Sequence, residues 1–376
     1  MKQKYLFLYL KTGGGHLAPA RSVASYIHLK YKDKVSTQLW DGFTGINKLV
    51  KYCIEDGYRK SQSKAVWTFE MLYALNKISW VAKLTTLIIS YFIVPHLERY
   101  ILTERPDKVV IFHFFLIHPV VRIINKHNLP TRIITVVTDP YTAHPIWFLD
   151  KKVSFIVFSD ILRNHCLKIG IPPQSISVFP FALSDKFTRP LTLIEVSVFK
   201  NNLGFMPGKR IILILGGGDG IPRGKKILKK IIKSNPDAYI VIVCGKNQQL
   251  YKKAWKLKTR YNFEKLKIYG FVDFIYELIN ISDIVITKCG ASTFMEILLS
   301  GKIPVINNYI WEQEKGNMEF VRNNSLGIYE KNIDKLPEKI NNIIHNPHQY
   351  NYYQQNINKI SLKNGTPQVS EFIVTY

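Results

Sequence analysis

The sequence predicts an α/β fold made of two Rossmann-like, doubly wound domains. Three observations predict it. Short apolar runs alternate with helical patterns along the whole chain. A glycine-rich turn follows the first apolar run of each half. The length of 376 residues suits two domains, and 47% hydrophobic residues can fill two cores.

The first apolar run, 5–10, ends at Lys11 and a glycine turn and reads as a buried strand, not a signal peptide. The strands that follow in the first half are 35–39, 109–112, 133–137, 155–158 and 176–179. Most are unbroken apolar runs rich in Val, Ile and Phe, the pattern of parallel strands covered on both faces. The second half repeats the scheme with 211–215, 239–243, 266–268, 284–287 and 305–306. The domain boundaries follow. Residues 1–185 form the first domain, 186–208 a linker with Pro190, Pro207 and Gly208, and 209–345 the second domain. Residues 346–376 form a C-terminal helix that crosses back to the first domain. Two such domains leave a cleft between carboxyl edges, and open α/β sheets bind ligands outside those edges.

Lys and Arg total 52 against 27 Asp and Glu, a formal charge of +25 and a pI near 9.7. That points to an anionic partner: a membrane surface, a nucleic acid or a phosphorylated ligand. The lysines are scattered without a block of five like charges, and no basic recognition helix or RNP-like motif stands out, so no nucleic-acid partner is expected. Cys53, Cys166, Cys244 and Cys289 show neither a CxxC pair nor metal spacing and read as thiols in a reducing compartment. Residues 66–101 are rich in Trp, Tyr, Leu and Ile, but the longest charge-free run, 84–97, contains Pro95 and His96 and is short for a spanning helix. Two readings stay open. The segment lies on a membrane with Trp67, Tyr73, Trp80, Tyr91 and Phe92 at the interface, or it is a pair of core helices.

Candidate chemistry collects at strand ends. After 284–287 come Lys288, Cys289, Gly290, Ala291, Ser292 and Thr293, with Glu296 a turn into the next helix. Free N–H groups and the positive end of the helix dipole at such a start attract a diphosphate, and a carboxylate a turn further on reaches a ribose. Gly216, Gly217 and Gly218, then Gly245 after 239–243, offer backbone cradles, and Phe271 and Val272 a wall for a base. Gln313, Glu314 and Asn317 are amide and carboxylate groups suited to sugar hydroxyls. In the first half, Gly14 and Gly15 precede His16, which the helix start keeps neutral and able to accept a proton, with Pro19 in the first turn. Asp139 ends a buried strand and is placed to orient that histidine, while His144 and Trp147 are placed to contact an acceptor. His113 and His118 read as packing residues.

In this order, the motifs resemble family 28 glycosyltransferases of the GT-B fold, in the branch of monogalactosyldiacylglycerol synthase and processive diacylglycerol glucosyltransferase. The resemblance rests on Thr12-Gly13-Gly14-Gly15-His16, Val136-Val137-Thr138-Asp139, His144-Pro145-Ile146-Trp147-Phe148 and Gly216-Gly217-Gly218-Asp219-Gly220. It continues through Val243-Cys244-Gly245-Lys246-Asn247, Gly270-Phe271-Val272, Ile286-Thr287-Lys288-Cys289-Gly290 and Gln313-Glu314-Lys315-Gly316-Asn317. It implies an inverting transfer of glucose or galactose from a UDP-sugar to a diacylglycerol-type lipid, without a cofactor or an essential metal, peripherally on the cytoplasmic face of an anionic membrane. It also implies that Gly290, Ala291, Ser292 and Thr293 bind the diphosphate, Glu296 the ribose, Phe271 and Val272 the uracil, and Gln313 and Glu314 the hexose, with His16 as the acceptor-side base. The chain departs from the branch at Ala291 and Ser292, where Pro-Gly is common, and at Asp219, where Glu is common. Transfer to another acceptor and UDP-sugar epimerisation on the same fold are the alternatives.

Overall fold

The computed structural model describes residues 2–11, 14–63 and 66–376. In chain order the elements begin with β1 (Gln3–Tyr9), α1 (Gly14–Lys30), β2 (Val35–Asp41), α2 (Lys48–Ser63), α3 (Val66–Leu75) and α4 (Ser79–Glu104). Next come β3 (Lys108–Ile111), α5 (Ile117–Lys126), β4 (Arg132–Val136), β5 (Ser154–Val157), α6 (Asp160–Lys168), β6 (Ile176–Val178) and α7 (Leu193–Asn202). Then follow β7 (Arg210–Leu215), α8 (Gly224–Lys233), β8 (Ala238–Val243), α9 (Gln248–Tyr261), β9 (Leu266–Tyr269), α10 (Ile275–Ile281), β10 (Ile284–Lys288) and α11 (Ala291–Leu299). The chain closes with β11 (Ile303–Asn308), α12 (Trp311–Asn323), β12 (Ile328–Tyr329), α13 (Leu336–His345), α14 (Pro347–Ile360) and α15 (Thr366–Thr375).

These elements form two compact units: residues 1–185 with 364–376, and residues 186–363. Unit 1 holds a parallel sheet of order β2-β1-β3-β4-β5-β6, and unit 2 one of order β12-β11-β10-β7-β8-β9. Each order reverses beside its first strand, as doubly wound sheets do. The central strands are buried on both faces, which is why β7 and β8 read as unbroken apolar runs.

Two boundaries differ from the sequence expectation. The stretch 186–208 is packed into unit 2 rather than free. Asn280 Oδ1 accepts from Leu191 N at 2.9 Å, and Tyr276 donates its hydroxyl to the Arg189 carbonyl at 2.8 Å. A capping box between Thr192 and Glu195 starts α7 within it. The stretch 346–376 forms two helices, not one. Ser361 turns left-handed at φ +49°, and Asn364 then bonds the Leu183 and Ser184 carbonyls, starting α15 against unit 1. There, buried Lys108 donates to the carbonyls of Ile373 and Val374 at 2.8 and 2.9 Å, closing the C-terminal end of α15.

Segment 66–101 has a core-facing side, as the second reading expects, and an exposed apolar side. Along α4, Ala82, Thr86, Ile89, Ile93, Leu97 and Ile101 form one buried stripe, most of it in the unit 1 core. The opposite stripe exposes Trp80, Leu84, Leu87, Ile88 and Tyr91, and α3 adds exposed Trp67, Met71, Leu72 and Leu75. By length and composition alone α4 suffices to cross a membrane, although its buried stripe is part of a folded core. Of the five aromatics expected at an interface, Trp67, Trp80 and Tyr91 are exposed. Tyr73 packs on His144, and Phe92 lies against the core.

Candidate active site

Strand order explains what meets at the carboxyl edge of unit 1. With β3 between β1 and β4, the residues after these strands converge. Gly14 and Gly15 open α1, and a Cβ on either would find nothing within 4 Å, so the backbone there borders open space. Thr12 and Gly13 of the expected turn lie outside the described residues. Pro19 sits inside α1, not in its first turn, and its missing N–H leaves the Gly15 carbonyl without a helical donor.

His16, in the first turn of α1, is enclosed, with 6% of its surface exposed. Its ring lies 4.5 Å from that of His113 and 6.1 Å from that of Trp147, and its Nδ1 is 2.7 Å from the Thr138 hydroxyl. Burial lowers its pKa to about 4, opposed in part by the Phe112 carbonyl. The imidazole is therefore neutral at pH 7, with burial as the first cause. His113 is held well below the usual histidine range by burial and then by His16 beside it, and its Nδ1 accepts from Phe115 N.

Three assignments in this half need correction. Trp147, expected to touch an acceptor, is 0% exposed within the unit 1 core. Its indole donates to Asp139 Oδ2 at 3.0 Å. Asp139, expected to orient the histidine, thus holds a core indole, and Thr138 beside it meets the imidazole. His144, also expected at the acceptor, is buried with both ring nitrogens engaged. Nδ1 accepts from Ile146 N at 3.1 Å, and Nε2 therefore carries the proton that reaches the Tyr73 carbonyl at 3.0 Å. His144 ties α3 to the loop after β4.

In unit 2 the loops after β7 and β8 are stitched together. Lys246 N donates to the Gly218 carbonyl at 2.8 Å, and a Cβ on Gly245 would stand 2.2 Å from that same oxygen. Gly217 and Gly245 have φ of +78° and +58°, a region that favours glycine. Beyond β9, Phe271 is 67% exposed and Val272 partly buried, with the Lys246 ammonium 5.9 Å from the Phe271 ring centroid.

The β10–α11 junction carries the sharpest features. Gly290 is the N-cap of α11 and supplies no side-chain cap, so N–H groups of the first turn are open. Ala291, Ser292 and Thr293 are partly buried. The Ser292 hydroxyl is buried without a partner. Glu296, four residues on and on the same helix face, has no hydrogen-bond partner among the described residues, and burial raises its pKa to about 7. Helix α12 braces this junction. Glu314 Oε2 accepts from Ile310 N at 2.7 Å and its Oε1 lies 3.7 Å from Lys288 Nζ, while Asn317 Nδ2 donates to the Cys289 carbonyl at 2.9 Å. Glu314, expected to hold a sugar, is buried and committed to the loop, while Asn317, expected there too, is buried with its amide N–H on the loop and its Oδ1 without a partner. Gln313 stays partly buried in the first turn of α12.

From the sequence Thr138 has no assigned role and His113 reads as packing, yet both stand against His16. The hydroxyl beside Asp139 was a visible signal, but its partner depends on strand order. Among the described residues no group of three His, Cys, Asp or Glu is arranged to hold a metal ion. A cavity of about 890 Å³ opens at the amino-terminal edge of the unit 1 sheet, bordered by Asn125, Arg132, Asp150 and Tyr376, away from all of these groups.

Residues 16–180 match the family model for monogalactosyldiacylglycerol (MGDG) synthase, and residues 211–369 match the glycosyltransferase family 28 C-terminal domain. The probable chloroplastic MGDG synthase of Nicotiana tabacum is 26% identical over 91% of this chain and 64% of its own length. The chain thus spans less than two thirds of that relative. MurG of Acinetobacter baumannii shares the fold at a TM-score of 0.62 and 16% identity over 100% of both chains. HepE of Anabaena, solved in complex with UDP-glucose, does so at 0.58 and 14% identity over 99% of this chain and 100% of its own. The two parallel sheets are those of the GT-B fold. With one family model on each half, the chain belongs to glycosyltransferase family 28 and carries an MGDG-synthase-type first half.

Proposed function

We propose that this glycosyltransferase moves a hexose, with inversion, from a UDP-sugar to a diacylglycerol-type lipid, working peripherally on the cytoplasmic face of a membrane. The observation that carries the donor half is the pair of unpartnered groups on α11. A buried hydroxyl without a partner is costly unless a ligand bonds it, and a partly buried carboxyl with a raised pKa lies one turn on along the same face of this uncapped helix start. A nucleoside diphosphate supplies both partners, phosphate oxygens for the N–H groups and Ser292, and ribose hydroxyls for Glu296. Departing UDP gains negative charge, which the helix start and Lys288 stabilise more in the transition state than in the ground state. Gln313 is assigned to the hexose, and Phe271 and Val272 to the base.

On the acceptor side, His16 takes the proton of the attacking hydroxyl. Its depressed pKa keeps it unprotonated at pH 7 but weakens it as a base, so its contribution belongs at the low end for general bases, about 100-fold. The exposed apolar stripe of α3 and α4 supports a lipid acceptor over a soluble one and over epimerisation. The unpaired buried thiols Cys166, Cys244 and Cys289 suit a reducing compartment. No metal or cofactor has a part in the scheme.

The test is transfer from labelled UDP-glucose and UDP-galactose to diacylglycerol in vesicles, read by lipid mass spectrometry. Glycolipid from one or both donors is expected. None from any diacylglycerol preparation would remove the lipid acceptor, and conversion of the free nucleotide sugar without acceptor would identify an epimerase. His16→Ala should lower kcat about 100-fold with UDP affinity nearly unchanged. Loss of UDP binding in that variant would reverse the assignment of the two units.

A further inference from the structure

We propose that helices α8 and α9 form an electrostatic docking face for an anionic phospholipid bilayer, separate from the apolar stripe of α3 and α4. The inference deepens the proposed lipid-directed function and rests on it for the choice of a bilayer. Lysines that look scattered in the sequence are collected by the fold. Between residues 225 and 260 stand eleven Lys and Arg and a single acidic residue, Asp237. Asp237 is already saturated by Lys209 and Lys265, at 2.7 and 3.0 Å.

The order β7-β8-β9 with parallel pairing puts both crossover helices on one face of the unit 2 sheet, and α8 packs beside α9. Ile227, Leu228, Ile231 and Ile232 of α8 and Leu250, Ala254 and Leu257 of α9 are buried. Lys225, Lys229 and Lys233 must therefore line the outer side of α8, and Lys252, Lys253 and Lys256 that of α9. Among the described residues none of these six has a carboxylate within ion-pair distance, whereas Lys226 and Lys230 share Asp334. Six uncompensated ammonium groups on one face repel one another and are relieved by an anionic surface. Trp255, 44% exposed among them with Lys258 stacked at 5.4 Å, is the residue type that settles at headgroup level. That aromatic, with the exposed apolar helices of unit 1, favours a bilayer over a nucleic acid.

The experiment is flotation of the full chain with neutral phosphatidylcholine vesicles and with vesicles carrying about 30% phosphatidylglycerol at about 0.1 M salt. A variant with Lys225→Glu, Lys229→Glu, Lys233→Glu, Lys252→Glu and Lys256→Glu should lose at least about tenfold in affinity for the anionic vesicles. Its weaker binding to neutral vesicles and its transfer to diacylglycerol in neutral detergent micelles should stay within about twofold of the wild type, since no altered residue belongs to the candidate site. The same five positions changed to Gln should give an intermediate loss, which guards against misfolding of the Glu variant. Wild-type affinity for anionic vesicles in the Glu variant overturns the proposal, as does tighter wild-type binding to duplex DNA or RNA than to these vesicles. If the wild type transfers no sugar in micelles, the proposed reaction fails, while the vesicle comparison still decides the docking face.

Discussion

The contact between Thr138 and His16 joins two strand ends that lie far apart in sequence, and it fixes how the imidazole presents its other nitrogen. Replacing Thr138 by Val keeps the shape and removes the hydroxyl. Turnover should fall about tenfold, with UDP affinity and KM for the donor unchanged, and Thr138→Ser should recover most of it, as steady-state kinetics would reveal. Glu296 offers a second residue-level test. Its carboxyl is raised to about 7 by burial, so before a nucleotide binds it is largely protonated below that pH, while a ribose is best held by the carboxylate. Between pH 8 and pH 6 the wild-type affinity for UDP should drop about tenfold more than that of Glu296→Gln, as read by calorimetry, because only the wild type loses a charge there. Parallel pH profiles for the two proteins would remove Glu296 from the binding step. The residue types of the site were largely legible in the sequence, because glycines, hydroxyls and carboxylates at strand ends announce themselves. Their partners were not. Trp147 looks like a surface aromatic close to a proline and a histidine, and only packing shows it inside. Glu314 and Asn317 look like sugar ligands, and only three-dimensional adjacency shows them holding the loop that carries Gly290.

At the scale of elements, the strands were readable because parallel strands covered on both faces are continuous apolar runs, and the structure contains each expected strand. Helix α4 was harder. It is apolar all round, so periodicity could not separate a core stripe from an exposed one, and only the contacts of Ile93, Leu97 and Ile101 do so. The linked loops after β7 and β8 give the clearest element-level prediction. Gly245→Ala adds a methyl that would stand 2.2 Å from a backbone oxygen, at a φ of +58° that disfavours it, so the two loops must separate. UDP affinity should fall by at least about tenfold while thermal stability of unit 1 stays the same, as calorimetry and hydrogen exchange would show. Lys108 makes an equivalent case for α15. Lys108→Met keeps the stem but leaves two helix-end carbonyls unpaired, and should cost about 1–3 kcal/mol in urea unfolding.

For the whole molecule, the two units should respond to acid in opposite directions. His16 titrates near 6.5 when unfolded and about 4 when folded, and His113 is shifted the same way. As pH falls from about 6.5 toward 4, the unfolded chain takes up protons that folded unit 1 refuses, so unit 1 loses stability. Glu296 is shifted the other way, from 4.5 to about 7. Its contribution to unit 2 is present below 4.5 and lost as pH rises through about 7. Hydrogen exchange measured between pH 7.5 and pH 5, corrected for intrinsic rates, should show protection falling in unit 1 and rising in unit 2, and Glu296→Gln should abolish the unit 2 trend. A uniform change in both units would contradict these shifts.

The chain leaves unit 1 after residue 185 and returns at residue 364, and this has a consequence for biosynthesis. The ammonium of Lys108 waits for carbonyls 265 residues further along the polypeptide. During translation the first sheet emerges with one flank bare, and the whole of unit 2 must be made before the closing helix leaves the ribosome. Nascent unit 1 therefore stays incomplete until α15 has been made, and premature termination anywhere in unit 2 yields a fragment with both units incomplete.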